Sequence, residues 1–376
     1  MGGVTRREFF AALSRWAGAS ALAAVASPAA EGVARKGYIA RREAQFYDKL
    51  PGGRVRCRLC PRECEVGEGE RGYCGVRENR GGKYYTLVYG NPCALRSDPI
   101  EKKPILHALP GSRALSLGTA GCNLNCKYCQ NWQMSQSPPE NTTNHIVPPE
   151  AAAKAAKAAG AKFVAFNYTE PVVFIEYVLD TARAARRLGL KTAVCTAAYI
   201  RAEPMRELCH AVDVMKIDLK GFSEKFYHDI CQGTLEPVLE AIVAAKKSGV
   251  WLELVNLVVP TINDDMAEIA KMCRWIAENV GRDVPLTFSR FTPMYQLKHL
   301  PATPMSTVER ARKVARAAGL RYVYLGNVSA ATTARNTYCP VCGKLLVQRL
   351  VYEVRENRIR AGRCPFCGTK IAGMWQ

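Results

Sequence analysis

Between Ala114 and Asn327, short unbroken apolar runs alternate with longer stretches in which apolar positions recur at helical spacing. The runs Ala114–Leu117, Phe163–Asn167, Thr192–Thr196, Val214–Leu219, Trp251–Val259, Leu286–Phe291 and Tyr322–Leu325 predict strands buried on both faces. Between them, Pro149–Ala159, Pro171–Leu188, Ala202–Ala211, Leu235–Lys247, Asp264–Val280 and Met305–Ala318 predict helices. Gly160, Gly189, Gly249, Gly281 and Gly319 fall where those helices should stop. Strand–helix alternation predicts an α/β fold, a parallel sheet covered by helices. A partial (β/α)6 TIM-like barrel is the expected form, and an ordinary doubly wound sheet is the alternative. A cysteine-rich loop directly after the first strand favours the barrel, because ligands in such folds collect at the carboxyl ends of strands.

That loop, Gly121-Cys122-Asn-Leu-Asn-Cys126-Lys-Tyr128-Cys129, carries three cysteines at spacing C-x3-C-x2-C. Three thiolates can hold three irons of a four-iron cubane. No further cysteine follows within the next sixty residues, so one iron would lack a local protein ligand. An open iron can bind a substrate or cofactor, whereas a fully ligated cluster only passes electrons. The spacing, with an aromatic residue before the third cysteine, resembles the signature of radical S-adenosylmethionine (SAM) enzymes. In those enzymes the open iron takes the amino and carboxylate groups of SAM. A zinc site with a distant fourth ligand is the competing reading, although structural zinc usually pairs two C-x2-C knuckles.

Other polar groups stand at strand ends. Asn167-Tyr168-Thr169-Glu170-Pro171 closes the second strand, and Pro171 suits the first position of a helix. Glu170 there could anchor an ammonium group, or simply oppose the dipole of the helix it opens. Asp218 and Lys220 end the fourth strand, where Lys220 could pair with a carboxylate and Asp218 could orient it or a ribose hydroxyl. Glu253 within the fifth strand and Arg290 on the sixth are charges too costly to bury unpaired. They are expected to face the barrel interior or a ligand. Tyr128, Thr169, Glu170, Asp218, Lys220, Glu253 and Arg290 are thus the candidate cofactor-binding residues.

Two further cysteine sets flank the core. Cys339-Pro-Val-Cys342-Gly and Cys364-Pro-Phe-Cys367-Gly form twin knuckles separated by a hairpin-like stretch, a signature of a zinc ribbon. A rubredoxin-like iron site uses the same ligands. Cys57, Cys60, Cys64 and Cys74 also offer four thiolates, suited by spacing either to an auxiliary iron–sulfur cluster or to zinc. The chain therefore divides into an amino-terminal cysteine-rich module over residues 43–98, a core over 107–330 and a ribbon over 336–376.

Composition adds constraints. At 376 residues and 48% hydrophobic, the chain has enough apolar material for a sizeable core. Its sixteen cysteines fall mostly into metal-like sets rather than a disulfide framework. The formal net charge of +20 is dispersed, without a basic tract or aromatic platform, which argues against nucleic acid and for attraction of anionic ligands. Thr5-Arg6-Arg7-Glu8-Phe9-Phe10, followed by a mildly apolar run to Ala26, resembles a twin-arginine export motif over residues 1–34. Export is the placement this suggests, and a cytoplasmic protein with an amino-terminal arm is the alternative. The run is broken by Arg15, so no transmembrane span is expected.

Taken in order, several motifs resemble one group. They are Cys57-Arg-Leu-Cys60-Pro-Arg-Glu-Cys64, Gly72-Tyr-Cys74-Gly-Val-Arg77, Asp98-Pro-Ile-Glu-Lys-Lys-Pro104, Cys122 to Gln130, Tyr168-Thr-Glu-Pro171, Asp218-Leu-Lys220, Ser289-Arg-Phe-Thr-Pro293 and Gly326-Asn327. With the closing cysteine ribbon, they resemble the radical SAM enzymes of the AmmeMemoRadiSam system, related to pyruvate formate-lyase activating enzymes. The resemblance implies a SAM-cleaving [4Fe-4S] enzyme generating a 5′-deoxyadenosyl radical for hydrogen abstraction from an unidentified substrate. It also implies a low-potential reductant and Memo-like and AMMECR-like proteins as partners. Where related activating enzymes carry an Asn-Gly pair, this chain has Thr196-Ala-Ala-Tyr199. A glycyl-radical activase is the alternative function, and a non-catalytic iron–sulfur or zinc scaffold is the alternative of another class.

Overall fold

Seven apolar runs lie side by side in parallel because a helical segment returns the chain to the same edge of the sheet after each of them but the last. The computed structural model describes residues 33–329 and 332–376; nearly all of the expected export segment, residues 1–32, lies outside them. The central sheet comprises β1 (Ala94–Pro99), β2 (Arg113–Gly118), β3 (Phe163–Phe166), β4 (Lys191–Thr196), β5 (Val214–Asp218), β6 (Trp251–Val258), β7 (Leu286–Arg290) and β8 (Val323–Gly326). Their spatial order is β8-β7-β6-β5-β4-β3-β2-β1. Among the described residues, β1 and β8 are not paired with each other, so the barrel is partial and keeps a seam.

The expected elements are present, and one strand is new. β1 runs antiparallel to β2, with Ala94 opposite Gly118 and Pro99 opposite Arg113. Its polar sequence and terminal proline gave no strand signal, but an edge strand tolerates both. Residues 94–98 therefore pair into the central sheet, which comprises the seven expected parallel strands and one antiparallel edge strand. The covering helices are α1 (Pro149–Ala158), α2 (Ile175–Arg187), α3 (Ala202–Ala211), α4 (Glu236–Ser248), α5 (Met266–Asn279) and α6 (Met305–Ala317). Gly249 ends α4 at φ 84°, a left-handed conformation that a residue with a Cβ enters only at a cost.

Burial on both faces explains the unbroken apolar strands. Val164 and Phe166 of β3 pack into the main core, whereas Phe163 and Ala165 meet Ile100, Ile105 and Ala108. The segment around Ile100–Ala108 thus closes one end of the barrel. The amino-terminal module consists of two small three-stranded sheets. It is tied to α2 by a fully buried ion pair, Arg77 to Glu176 at 2.6 Å. The ribbon strands β9 (Thr337–Tyr338), β10 (Leu345–Leu350) and β11 (Glu353–Asn357) form an antiparallel sheet. Leu346, Val347 and Ile359 of this module pack against Leu106, Tyr322 and Tyr324 of the core. No helix of the described residues is long and apolar enough to cross a membrane.

Candidate active site

The cysteine loop leaves the carboxyl end of β2 through Gly121, at φ 89°. A Cβ there would sit 2.7 Å from the Cys74 carbonyl oxygen, so only glycine lets the amino-terminal module approach this closely. Three separate elements fix the loop backbone. The Asn125 and Lys127 N–H groups donate to the carbonyls of Cys231 (3.1 Å) and Ile230 (2.9 Å). Asn123 Nδ2 donates to the Tyr199 carbonyl at 2.6 Å, and Gln136 Nε2 to that of Leu124 at 3.0 Å. As a result Cys122, Cys126 and Cys129 all line one cleft of about 300 Å³. The Leu124 N–H points at Cys122 Sγ (3.4 Å) and Ser135 Oγ lies 3.3 Å from Cys129 Sγ, contacts of the kind that tune iron–sulfur clusters.

Burial pushes the Cys122 and Cys129 thiols up, while Cys126 is drawn down to about 7 by the Cys231 thiol and the Lys220 ammonium. Cys231 had no signal in the sequence, lying 102 positions beyond Cys129. Its buried sulfur is 3.6 Å from the Tyr128 hydroxyl, and it does not line the cleft.

Most strand-end candidates converge on the same cleft: Tyr128, Thr169, Glu170, Asp218 and Lys220 all line it. Glu170 does two jobs at once. It caps the turn Pro171–Phe174 by accepting from the Val172 N–H at 3.1 Å. It also accepts from Thr196 Oγ1 (2.5 Å) and the Ala197 N–H (2.8 Å). The Thr196-Ala-Ala-Tyr199 segment, which departs from the related pattern, therefore orients the carboxylate rather than facing a ligand with an amide. Thr169 Oγ1 donates to the Thr119 carbonyl at 2.8 Å.

Asp218 bridges two lysines, Lys216 and Lys220, the second at 3.6 Å. Burial opposes its charge, but the two ammonium groups hold its carboxyl below the usual range. Burial likewise works against the charge on Lys220, and Asp218 with the nearby thiols keeps it protonated, well above the ordinary lysine value. Its Nζ lies 6.0 Å from the centre of the Tyr128 ring. An ammonium, two carboxylates and three thiols thus share one concave surface.

Two candidates are placed elsewhere. Glu253 lies near the amino end of β6 and accepts from the N–H groups of Leu106 and His107 (both 2.8 Å) and from Trp251 Nε1 (3.0 Å). It does not line the cleft. Its three donors satisfy a buried carboxylate without a ligand, so the expectation that it faces a cofactor gives way to anchoring the closing segment. Arg290 turns its Nε to the Thr303 carbonyl at 2.7 Å and is likewise not a lining residue. The sequence reading quoted Ser289 and Asn327 in motifs without a site role and missed Asn131, Arg335 and Tyr352, and all five line the cleft. The last two come from the segment after β8 and from the turn between β10 and β11.

The flanking cysteines differ in spacing. The sulfurs of Cys339, Cys342, Cys364 and Cys367 lie within 4.8 Å of one another, with Cys339–Cys367 at 3.6 Å and Cys342–Cys364 at 3.7 Å. A tetrahedral ion bound to sulfur at about 2.3 Å requires edges of about 3.8 Å, which these distances match. Each knuckle repeats one turn: the Gly343 and Gly368 N–H groups donate to the carbonyls of Cys339 and Cys364 at 3.0 and 2.9 Å. Among the described residues no other group of three or more His, Cys, Asp or Glu is gathered this tightly. Cys57, Cys60, Cys64 and Cys74 are therefore more widely spaced than a single ion requires. Beside them the buried Tyr84 hydroxyl has no hydrogen-bond partner, which fits a group bound among these thiols.

The model of the Radical SAM superfamily matches residues 116–273, which span the cysteine loop, Glu170, Asp218 and Lys220. An uncharacterized protein of Methanocaldococcus jannaschii is 43% identical over 332 residues, covering 88% of this chain and 98% of that protein. The pyruvate formate-lyase-activating enzyme of Clostridium pasteurianum is 24% identical over 159 residues, 42% of this chain and 66% of that enzyme. Among solved structures, a radical SAM methyltransferase from Sphaerobacter thermophilus is 15% identical with a TM-score of 0.46, covering 63% of this chain and 71% of that one.

Proposed function

The chain belongs to the radical SAM superfamily and is an enzyme, and from that premise we propose that Cys122, Cys126 and Cys129 hold its [4Fe-4S] cluster. The observation that carries this assignment is the shared cleft, in which three thiols of one loop face Glu170, Asp218 and Lys220. When bound, the cluster and SAM supply one-electron reductive cleavage to a 5′-deoxyadenosyl radical, which abstracts hydrogen from a substrate. The residues of this chain bind and orient. Lys220, kept protonated by Asp218, pairs with the carboxylate of SAM. Glu170, fixed by Thr196 and the Ala197 N–H, accepts from its ammonium group. Asp218 retains a partly exposed edge for a ribose hydroxyl, Tyr128 lines the cleft beside Lys220, and Thr169 sets the turn that presents Glu170. Enclosure within the barrel excludes water and oxygen from the reacting centre.

The carboxy-terminal cysteines are assigned a structural zinc, and an iron with rubredoxin-type absorption is the alternative. For Cys57, Cys60, Cys64 and Cys74 the wide spacing and the orphaned Tyr84 hydroxyl favour an auxiliary iron–sulfur cluster over zinc. The substrate is unidentified, and Memo-like and AMMECR-like proteins and a low-potential reductant are the proposed partners. A glycyl-radical activase is the second reading, favoured by the likeness to the Clostridium pasteurianum enzyme. Anaerobic reconstitution with SAM and dithionite tests the assignment. The wild type is expected to form 5′-deoxyadenosine, and the triple variant Cys122→Ala, Cys126→Ala, Cys129→Ala to form none while keeping the carboxy-terminal metal. Product at the wild-type rate in the triple variant would remove the cluster from this loop.

A further inference from the structure

Where Arg335 and Tyr352 line the cleft, charge is out of balance. Arg335 is 4% exposed, yet it lines the cleft, and its Nε is buried with no hydrogen-bond partner. The Tyr352 ring lies 4.9 Å from the guanidinium carbon, so one face of the cation is covered by an aromatic surface. Its backbone is fixed on both sides. The Arg335 carbonyl accepts from Arg349 Nη1 at 2.9 Å, and the neighbouring Ala334 carbonyl accepts from the Leu325 N–H at 3.2 Å. The backbone of this residue is therefore held in place while its buried Nε has no partner.

Around it, cations outnumber anions. Lys102, which also lines the cleft, lies 2.8 Å from Asp98, and the buried Lys103 lies 3.9 Å from the same carboxylate. Arg349 is 4.0 Å from Glu101, with both side chains fully buried. Three cations thus share two carboxylates, and among the described residues Arg335, the fourth cation, pairs with neither. A buried guanidinium stays ionised and is costly to leave unpaired, so a stable fold that keeps one in a cleft has a place for an anion. The planar fork of arginine matches the two oxygens of a carboxylate or a phosphate.

We propose that Arg335, with Lys102 and Tyr352, forms an anion subsite in the cleft, and that the substrate of the radical reaction carries a carboxylate or phosphate group seated there. The substrate identification rests on the radical SAM reading, whereas the anion subsite itself does not. The subsite is separate from the SAM-binding set, which has its own cation in Lys220. A neutral glycine in a peptide loop would leave Arg335 unpaired, so the subsite favours a small anionic substrate over the activase reading. It also gives the ribbon a place in the active site, since Tyr352 comes from the turn between β10 and β11.

The test uses the reconstituted full chain saturated with SAM under anaerobic conditions. Inorganic phosphate and malonate are titrated at ionic strength held constant with potassium chloride, and the thermal midpoint is followed. One or both anions are expected to raise the midpoint saturably, and the one acting at lower concentration identifies the head group. Arg335→Gln should weaken the apparent affinity at least tenfold, with partial recovery in Arg335→Lys. Lys102→Gln, at a half-exposed position, should weaken it several-fold and serves if the arginine variant does not fold. Absence of saturation by either anion, or equal affinity in the wild type and the substituted proteins, overturns the proposal. Formation of 5′-deoxyadenosine by the wild type is measured in parallel. Its absence would defeat the radical SAM reading and leave the anion result standing.

Discussion

At the scale of single residues, the candidate site is held together by side chains that each satisfy more than one neighbour. Glu170 shows why a helix-opening acid and a ligand-facing acid need not be alternatives: its carboxylate caps Pro171–Phe174, is oriented by Thr196 and still lines the cleft. Lys220 is the group whose removal should be most informative. A charge-assisted bond is worth about 1.5–3 kcal/mol, so Lys220→Met should weaken SAM binding about tenfold or more, read by equilibrium binding to the reconstituted protein. Unchanged affinity would take Lys220 out of the site. Thr169, Glu170, Asp218 and Lys220 were legible because strand ends carry function in this fold class. Arg335 and Tyr352 were not, because each reaches the cleft from a segment distant in sequence and neither belongs to a recognisable motif; Cys231, behind the cleft beside Tyr128, was hidden for the same reason. Glu253 misled for the opposite reason. A carboxylate in an apolar strand signals a partner, but periodicity does not say whether the partner is a ligand or the backbone of Leu106 and His107.

At the scale of elements, the joints between modules rest on buried polar contacts as well as apolar packing. Arg77 from the amino-terminal module meets Glu176 of α2, and Glu176 also accepts from the Gln45 N–H at 2.8 Å. Arg77→Met should destabilise the protein by about 3–5 kcal/mol, because it leaves Glu176 charged, buried and uncompensated. The double variant Arg77→Met, Glu176→Leu should recover part of that loss. Urea unfolding of the three proteins is the measurement, and a double variant no more stable than Arg77→Met would contradict the account. The ribbon joint is titratable. His107 is fully buried between the Ala372 carbonyl (2.6 Å) and the Tyr324 hydroxyl (2.5 Å). The neutral ring donates from Nδ1 to the carbonyl and accepts at Nε2. Burial, with a smaller contribution from Arg349, lowers its pKa from 6.5 to about 3. The unfolded chain therefore binds the extra proton between those values, so this histidine's contribution is intact above pH 6.5 and is lost as pH falls. Between pH 7 and 5 the wild type should lose about 2 kcal/mol from this source, and His107→Gln should show a shallower dependence. Equal slopes in denaturant titrations would exclude it.

At the scale of the whole molecule, the ribbon packs on β8 and the closing segment and sends Tyr352 to the cleft, so a module with its own cysteine set also walls the cleft. A ribbon of this size has too little core to fold without the metal proposed for its four cysteines. Cys364→Ser should therefore lower both metal content and thermal midpoint, with SAM cleavage reduced only as far as folded protein is lost. Full metal occupancy in that variant would refute the ligand assignment. The α/β class, the seven apolar strands, the six covering helices and the three cysteine sets were determined by sequence alone. Local periodicity and ligand spacing are properties of neighbouring residues and can be read without a fold. β1 escaped that reading because an edge strand has little need of apolar alternation. Only the tertiary structure decided that Glu253 anchors the closing segment, that the Thr196 loop holds Glu170, and that Arg335 lines the cleft with its buried Nε unpartnered. Those facts depend on which distant backbones approach one another, and no pattern along the chain encodes the distance between its separate parts.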